Sequence, residues 1–218
     1  MRLIAEKLSG ERGGETVFSD ISFTRHTGEA LVVTGPNGSG KSTLLLILAG
    51  LLPTASGNIG FDGGETFPTL ASACHYLGHQ NAMKTALTVG ENLTFWQDFF
   101  GSPRLPFDKA LEAVGLDGLG HLPFSVLSTG QKRRAAIARL LVSYRPVWLL
   151  DEPTAGLDAA SEARFGKLME EHLREGGIVV AATHLPLGLA GAEELRMGLP
   201  SPLWRGSIRE AERGGGQE

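Results

Sequence analysis

Short apolar runs alternate with longer amphipathic stretches on both flanks of the chain. Uninterrupted apolar runs of four to six residues are typical of strands covered on both faces of a sheet. Longer periodic stretches that stop before Pro53 and Pro146 indicate helices. The pattern predicts buried strands over residues 29–34, 73–78, 147–150 and 178–183, and helices over 41–51 and 130–145. Strand and helix alternation of this kind predicts an α/β fold built on a mostly parallel sheet.

The two ends of this predicted core differ from its centre. Residues 3–8 and 16–23 alternate loosely and contain β-branched and aromatic residues, which favours strands of an antiparallel N-terminal β subdomain. Residues 54–64 contain four glycines and an Asp-Gly pair, which predicts turns. The polar, glycine-containing end of residues 201–218 predicts a C-terminal extension with a disordered end.

The middle of the chain has a helical pattern without strands. Apolar residues at 89, 93, 96 and 99/100 predict a helix over 89–100, and a shorter helix follows over 107–114. We interpret residues 81–129, approximately, as a helical subdomain inserted into the core. Residues 1–200 then form one domain, with the core over 1–80 and 130–200.

Bulk composition excludes several functions. A net charge of −4 over 218 residues gives no electrostatic case for nucleic acid as a partner. One cysteine, Cys74, cannot form an internal disulfide, and we expect it to be a small core residue. The longest apolar runs, 44–49 and 178–182, are far shorter than the roughly 20 residues of a membrane span. If the protein works at a membrane, other chains must supply the spans.

A glycine-rich segment between the predicted strand 29–34 and the following helix matches the pattern G-x-x-x-x-G-K-[ST] at every fixed position. Glycines allow successive backbone N–H groups to turn inward around a phosphate, and the helix N-terminus adds its dipole. Lys41 is expected to bind the β- and γ-phosphates of ATP, and the Ser42 hydroxyl to bind Mg²⁺. The predicted phosphate-binding residues are Gly35, Pro36, Asn37, Gly38, Ser39, Gly40, Lys41, Ser42 and Thr43.

Two acids end the predicted strand 147–150. Carboxyl ends of parallel strands meet at one edge of a sheet, so Asp151 and Glu152 are expected to approach the phosphate loop. Asp151 is placed to hold Mg²⁺, and Glu152 to act as general base on the attacking water. Acids followed by proline also occur as a simple strand exit, but the phosphate loop upstream favours function.

The segment Leu127-Ser128-Thr129-Gly130-Gln131 lies just before a predicted helix. Here the chain resembles the ABC ATPase family, whose signature is LSGGQ and whose core is the P-loop (RecA-like) fold. Thr129 departs from that signature. The resemblance implies that Ser128, Gly130 and Gln131 contact ATP bound to a second copy, within a head-to-tail homodimer.

Three further positions match the same family in order. The resemblance implies that Gln80 senses Mg²⁺ and the attacking water, and that Asp158 lies in a dimer-contacting loop. It also implies that His184 contacts the γ-phosphate. Lone histidines after strands are more often structural, but this one stands in an ordered series of motifs. The other histidines have no motif context and are expected at the surface or in packing.

The adenine side departs from the family pattern. Family members generally stack the base on an aromatic side chain at the position that Arg12 occupies here, 23 residues before Gly35. A guanidinium plane can also stack on a purine. One hypothesis is that Arg12 replaces the aromatic, with Val17 beside it. The alternative is a solvated arginine in a turn.

Finer features resemble the ATPase subunit of the bacterial haem exporter of cytochrome c maturation. They include the turn at Glu11-Arg12-Gly13 and the segments 77–80, 87–96 and 130–135. This resemblance implies a peripheral subunit on the cytoplasmic face of the bacterial inner membrane, bound to separate integral-membrane chains. Rival interpretations are the ATPase of another exporter, of lipids or drugs, a non-transport ABC ATPase, and a nucleotide-binding regulator without hydrolysis.

Two clusters remain open. The aromatic side chains of Phe95, Trp96, Phe99 and Phe100 are interpreted as the core of the inserted subdomain, with a groove for a membrane partner's helix as the alternative. The basic cluster is interpreted as a solvated helix face rather than a lipid or partner contact. It consists of Lys132, Arg133, Arg134 and Arg139.

Overall fold

A five-stranded sheet forms the centre of the fold, and every strand pairing in it is parallel. The structure is a computed structural model and describes residues 1–198. The strand order of the sheet is β5-β6-β7-β3-β8. The strands are β3 (Ala30–Thr34), β5 (Cys74–Leu77), β6 (Val147–Asp151), β7 (Ile178–Ala182) and β8 (Glu193–Arg196). Four of them confirm the predicted buried strands. The edge strand β8 was not predicted, because three of its four residues are charged and exposed.

The N-terminal subdomain is an antiparallel sheet of order β2-β1-β4. Its strands are β1 (Arg2–Arg12), β2 (Glu15–His26) and β4 (Ser56–Asp62). The first two form a long hairpin around Gly13 and Gly14, both at positive φ, and this confirms the predicted subdomain. The prediction of turns over 54–64 was wrong. Ile59 and Phe61 alternate with exposed residues on β4, and the intervening glycines conceal that period.

The core helices are α1 (Lys41–Leu48), α5 (Thr129–Val142) and α6 (Ala159–Arg174). Gly50, at φ 71°, ends the turn after α1, and Ser143 takes an extended conformation after α5, so both helices are shorter than predicted. Helix α6 was not predicted. Asp158 caps its N-terminus by accepting a hydrogen bond from the Ser161 N–H at 2.8 Å.

The inserted segment is helical, as predicted. It contains α3 (Val89–Phe100), α4 (Phe107–Ala113) and 3₁₀ turns at Leu119–His121 and Phe124–Val126, while a short helix α2 (Leu70–Ala73) precedes β5. Thr88 and Glu91 form a reciprocal capping box that fixes the start of α3. The predicted extension over 201–218 lies outside the described residues.

Alternating side chains of the central sheet divide the apolar core into two clusters. On β6, Trp148 and Leu150 face α5, α6 and the inserted helices. Val147 and Leu149 face α1 and the N-terminal sheet. Both faces of the sheet are therefore covered, which explains why these strands are apolar throughout.

Candidate functional site

The phosphate loop lies between the end of β3 and the start of α1. Gly35, Gly38 and Gly40 have φ of 140°, 82° and 89°, which the glycines of the motif permit at low cost. The Lys41 ammonium donates to the carbonyl oxygens of Gly35 at 2.8 Å and Pro36 at 3.1 Å. The loop is thus held around its own lysine, close to the place where an anion would bind.

The C-terminal edge of the sheet supports the beginning of this loop. A Cβ atom at Gly35 would collide with the carbonyl oxygen of Met197, and the Met197 N–H donates to the Thr34 carbonyl at 2.8 Å. The close backbone approach requires glycine at this position.

A cavity of about 480 Å³ opens above the loop. It gathers residues from the hairpin, the phosphate loop and the ends of β5, β6 and β7. The lining residues are Arg12, Val17, Asn37, Gly38, Gly40, Lys41, Ser42, Thr43, His79, Asp151, Glu152, Ala155 and His184. The structure therefore brings together the predicted phosphate, adenine-side, acid and histidine positions. Gly35, Pro36 and Ser39 shape the loop without lining this cavity.

The two acids differ in exposure. The Asp151 side chain is 3% exposed and that of Glu152 is 20% exposed. Tyr76, on the neighbouring strand β5, has its pKa raised to about 12 by burial and by the adjacent Asp151 carboxylate. Because Asp151 ends a fully buried strand, its carboxylate has a fixed position at the cavity edge.

Glu152 has a left-handed backbone, with φ of 44°. This conformation costs a non-glycine residue roughly 1 kcal/mol or more, so surrounding contacts must hold it. Its N–H donates to the Ala182 carbonyl at 2.8 Å. Strain of this kind often accompanies a functional side chain.

His184 contacts both the phosphate loop, at Asn37, and the acid Glu152. Its Nε2 lies 2.9 Å from Asn37 Oδ1 and 3.4 Å from Glu152 Oε1. The side chain is 46% exposed and faces the cavity. His184 therefore lies at the cavity, between the phosphate loop and Glu152, and its contact with the γ-phosphate stays a prediction.

His79 is a cavity residue that the sequence analysis missed. Its Nε2 lies 3.9 Å from Asp151 Oδ2. No motif identifies it, although its position directly before Gln80 offered a signal. Gln80 itself lines an adjacent groove instead of the phosphate cavity.

The predicted signature residues lie away from the phosphate cavity of their own chain. Ser128 caps α5 through a reciprocal box with Gln131, accepting from the Gln131 N–H at 3.3 Å and donating its own N–H to Gln131 Oε1 at 2.9 Å. Gly130 lies close to the Gly156 carbonyl, and a Cβ atom added at Gly130 would lie 3.4 Å from that carbonyl oxygen. Among the described residues, Ser128, Gly130, Gln131 and Asp158 are absent from the cavity lining.

The interpretation of the basic cluster as a solvated face was wrong for two of its members. Arg133 and Arg139 are 6% and 4% exposed. Arg139 donates to the Tyr76 carbonyl at 2.6 Å and lies 4.8 Å from the Trp96 ring centroid, and burial lowers its pKa to about 10. Backbone carbonyls and an aromatic ring take the place of solvent, which a sequence pattern does not reveal.

A second groove, of about 760 Å³, adjoins the phosphate cavity. Trp96, Phe99 and Phe100 form one wall, Arg139 lies within it, and Asp151 is shared with the cavity. The interpretation of the aromatic cluster as core was wrong for Phe95 and Phe99, which are 44% and 67% exposed. The buried apolar residues of α3 are Val89 and Leu93, which lie nearer its N-terminus than Phe95 and Phe99. Cys74 is buried, as predicted, and burial raises its pKa to about 11.

Two structural tests concern metals and membranes. Within residues 1–198, His, Cys, Asp and Glu side chains form no group of three suited to a metal ion. None of the helices in the same range combines the length and apolar character that a bilayer crossing requires.

Comparisons with known proteins agree with this geometry. Residues 18–155 match the family model described as ABC transporter. The chain is 68% identical over 199 residues to the cytochrome c biogenesis ATP-binding export protein CcmA of Chelativorans sp. (strain BNC1), covering 91% of this chain and 98% of that protein. It is 69% identical over 200 residues to the protein of the same name from Mesorhizobium japonicum, covering 91% and 99%.

Solved structures agree at the level of the fold. A putative ABC transporter ATP-binding protein from Pyrococcus furiosus superposes with a TM-score of 0.78 at 24% identity, covering 90% of this chain and 98% of that one.

Proposed function

Because the chain belongs to the ABC transporter family, we propose that it is an ATPase subunit that powers haem export, or haem release to a carrier, during c-type cytochrome assembly. The single observation that carries the ATPase assignment is the convergence of the phosphate loop, Asp151, Glu152 and His184 on one cavity. The assignment to cytochrome c biogenesis is supported by relatives named as cytochrome c biogenesis ATP-binding export proteins, which share 68% and 69% of aligned residues. Haem as the cargo is part of the proposal.

The chain's own residues divide the work of hydrolysis. Loop N–H groups and Lys41 bind the β- and γ-phosphates, and the lysine exchanges its bonds to Gly35 and Pro36 for phosphate oxygens. Glu152 orients the attacking water and accepts its proton. His184, held by Asn37, stabilises the charge that develops on the γ-phosphate oxygens.

Mg²⁺ fits this site only together with ATP. The available donors are the Ser42 hydroxyl and the nearly buried Asp151 carboxylate, both lining the cavity. Magnesium is usually held by one or two such oxygens together with substrate phosphates, so the lack of a three-residue cluster in the described part of the chain is consistent with it. When bound, Mg²⁺ neutralises charge on the phosphates. Gln80 lines the adjoining groove together with Ser42 and Asp151, so its side-chain oxygen would be a further ligand of the ion.

A homodimer would complete the site. The capped N-terminus of α5 is an exposed anion-binding end that no ATP bound to the same chain's cavity would meet. We propose that Ser128, Gly130 and Gln131 of one copy contact ATP on the other, with Asp158 at the contact between copies.

Mixed dimers test this arrangement. Ser128→Arg blocks the signature and Lys41→Ala removes the phosphate cation, so each variant alone should hydrolyse little ATP. A mixture forms dimers with one intact site, made from the loop of the first variant and the signature of the second. Partial recovery of turnover on mixing supports the head-to-tail dimer, and no recovery argues against it.

The membrane partner and location are also proposals. The aromatic groove beside the phosphate cavity fits a helix of an integral-membrane subunit, because it is apolar, exposed and shares Asp151 with the site. The chain would then lie peripherally on the cytoplasmic face of the inner membrane.

Cargo is tested genetically. Deleting the gene should remove covalently haem-stained c-type cytochromes while b-type haem proteins persist, and the wild-type gene should restore them. A Glu152→Gln gene should not restore them, although its product should accumulate normally. Normal c-type cytochromes in the deletion strain would reject the haem assignment and leave the ATPase assignment intact.

A further inference from the structure

Arg133 makes an unusual set of contacts beneath the acid turn. Its guanidinium donates to four backbone carbonyls, those of Gly78 at 2.7 Å, Asp151 at 3.2 Å, Glu152 at 2.8 Å and Pro153 at 3.2 Å. The residue is 6% exposed and does not line the phosphate cavity. Any influence on ATP must therefore pass through the segments it holds.

The four carbonyls belong to two functional segments. Three of them form the turn that carries Asp151 and Glu152, and the fourth lies two residues before Gln80. A planar guanidinium presents five N–H donors in a fixed fork, which lets one side chain hold both segments at once. A lysine ammonium would reach fewer of these carbonyls from a single point.

Glu152 needs such support. Its backbone is left-handed, at φ 44°, and its peptide groups are held on both sides. The N–H donates to the Ala182 carbonyl at 2.8 Å, and the carbonyl accepts from Arg133, also at 2.8 Å. Without the second bond, the backbone is free to relax toward a commoner conformation and turn the carboxylate away.

Arg133 also connects the acid turn to the capped end of its own helix. It lies five residues after Ser128, on the helix whose N-terminus Ser128 and Gln131 cap. A shift of α5 would therefore be transmitted directly to the Glu152 carbonyl.

We infer that Arg133 is a positioning residue for hydrolysis, which holds the backbone of Glu152 so that its carboxylate faces the γ-phosphate. The inference rests on the proposed role of Glu152 as general base. It assigns to Arg133 an effect on turnover and not on ATP binding, because Arg133 does not line the phosphate cavity.

The test compares Arg133→Met with Arg134→Met in the full chain. Arg134 is the matched control, since it is the next residue on α5 and its hydrogen bonds within residues 1–198 go to the carbonyls of Val114 and Gly115 in the inserted subdomain. We measure kcat and KM for ATP, the Kd for ATP with Mg²⁺, and the thermal unfolding midpoint. Arg133→Met should lower kcat about ten- to a hundredfold with Kd changed less than about twofold, while Arg134→Met should keep wild-type kcat.

Two results would overturn the inference: an unchanged kcat in folded Arg133→Met, or a fall in kcat matched by an equal loss of ATP affinity. If Arg133→Met does not fold, Arg133→Lys decides on the same criteria, because it keeps the charge and part of the bonding. Glu152→Gln is assayed in parallel. If it remains active, the role of Glu152 fails. If it is inactive while Arg133→Met keeps full kcat, only the role of Arg133 fails.

Discussion

The imidazole Nε2 of His184 lies 3.4 Å from the carboxylate Oε1 of Glu152. Strand β7 delivers the histidine and β6 the acid, and the two strands are adjacent and parallel in the sheet. Asn37 of the phosphate loop contacts the same imidazole nitrogen at 2.9 Å. One histidine therefore contacts both the acid and the phosphate loop.

The first prediction concerns this histidine. His184→Ala should lower kcat by about a hundredfold, the range typical for loss of a group that stabilises or transfers charge in the transition state. ATP affinity should change little, because Lys41 and the loop amides remain. Steady-state ATPase assays with a binding isotherm measure both. His121→Ala, at an exposed position outside the cavity lining, is the control and should match wild type.

The second prediction concerns the adenine side. Arg12 lines the cavity together with Val17, at the end of the hairpin strand β1. Loss of a stacked guanidinium should raise the Kd for ATP about three- to tenfold in Arg12→Ala, and Arg12→Tyr should restore affinity. Isothermal titration with ATP and with inorganic tripolyphosphate separates base stacking from phosphate attraction.

Stacking predicts that Arg12→Ala weakens ATP and leaves tripolyphosphate binding unchanged. Arg2→Ala, an exposed arginine at the other end of the same strand, is the control. An unchanged Kd for ATP in Arg12→Ala would favour the solvated-turn alternative.

The third prediction concerns acid stability. His172 stacks on Trp148, with centroids 4.0 Å apart, and burial lowers its pKa from 6.5 to about 4. The folded protein thus binds fewer protons than the unfolded chain between these values. The contribution of His172 to the free energy of unfolding is therefore fully present above about pH 6.5, and it is lost as the pH falls toward about 4.

His172→Phe should remove this component. By pH 4 the wild type should have lost about 3 kcal/mol through His172, a loss that the variant avoids. Urea unfolding at several pH values measures how steeply the free energy of unfolding changes with pH. His75, whose pKa is lowered to about 3 by burial, leaves a second acid-sensitive component in both proteins. Equal pH slopes in wild type and variant would refute the assignment to His172.

The fourth prediction concerns the aromatic groove. Phe99 is 67% exposed and lines the groove. Phe99→Glu should abolish co-purification with the integral-membrane subunits, because the charge would enter an apolar contact. ATP turnover of the isolated chain should remain. Phe95→Glu, on the same helix but outside the groove lining, is the matched control, and equal loss in both variants would count against groove docking.

Local signals explain which parts of the fold were predictable. The bounds of α3 follow from its periodicity and from the capping pair Thr88 and Glu91. The phosphate loop and the acid strand follow from motifs whose residue types the chemistry requires. Strand β4 was missed because its glycines mask alternation, although pairing with β1 stabilises it. Tertiary contact in that case overrides local preference.

Residues with long-range partners were the hardest to predict. Arg133 resembles a solvated residue in sequence, yet its partners are carbonyls as far away as Gly78, 55 positions earlier. His79 joins the site only because β5 ends beside β6. Signals of this kind depend on the arrangement of strands, which no window of sequence contains.

The close contact between Gly35 and Met197 has a consequence for the order in which the site can form during synthesis. The phosphate loop is translated early, but its backbone support at Met197, directly after β8, is translated 162 residues later. A nascent chain that has emerged only to β7 would have the loop without that edge. Binding of nucleotide in its mature form is therefore expected to wait for the ribosome to release the segment around Met197.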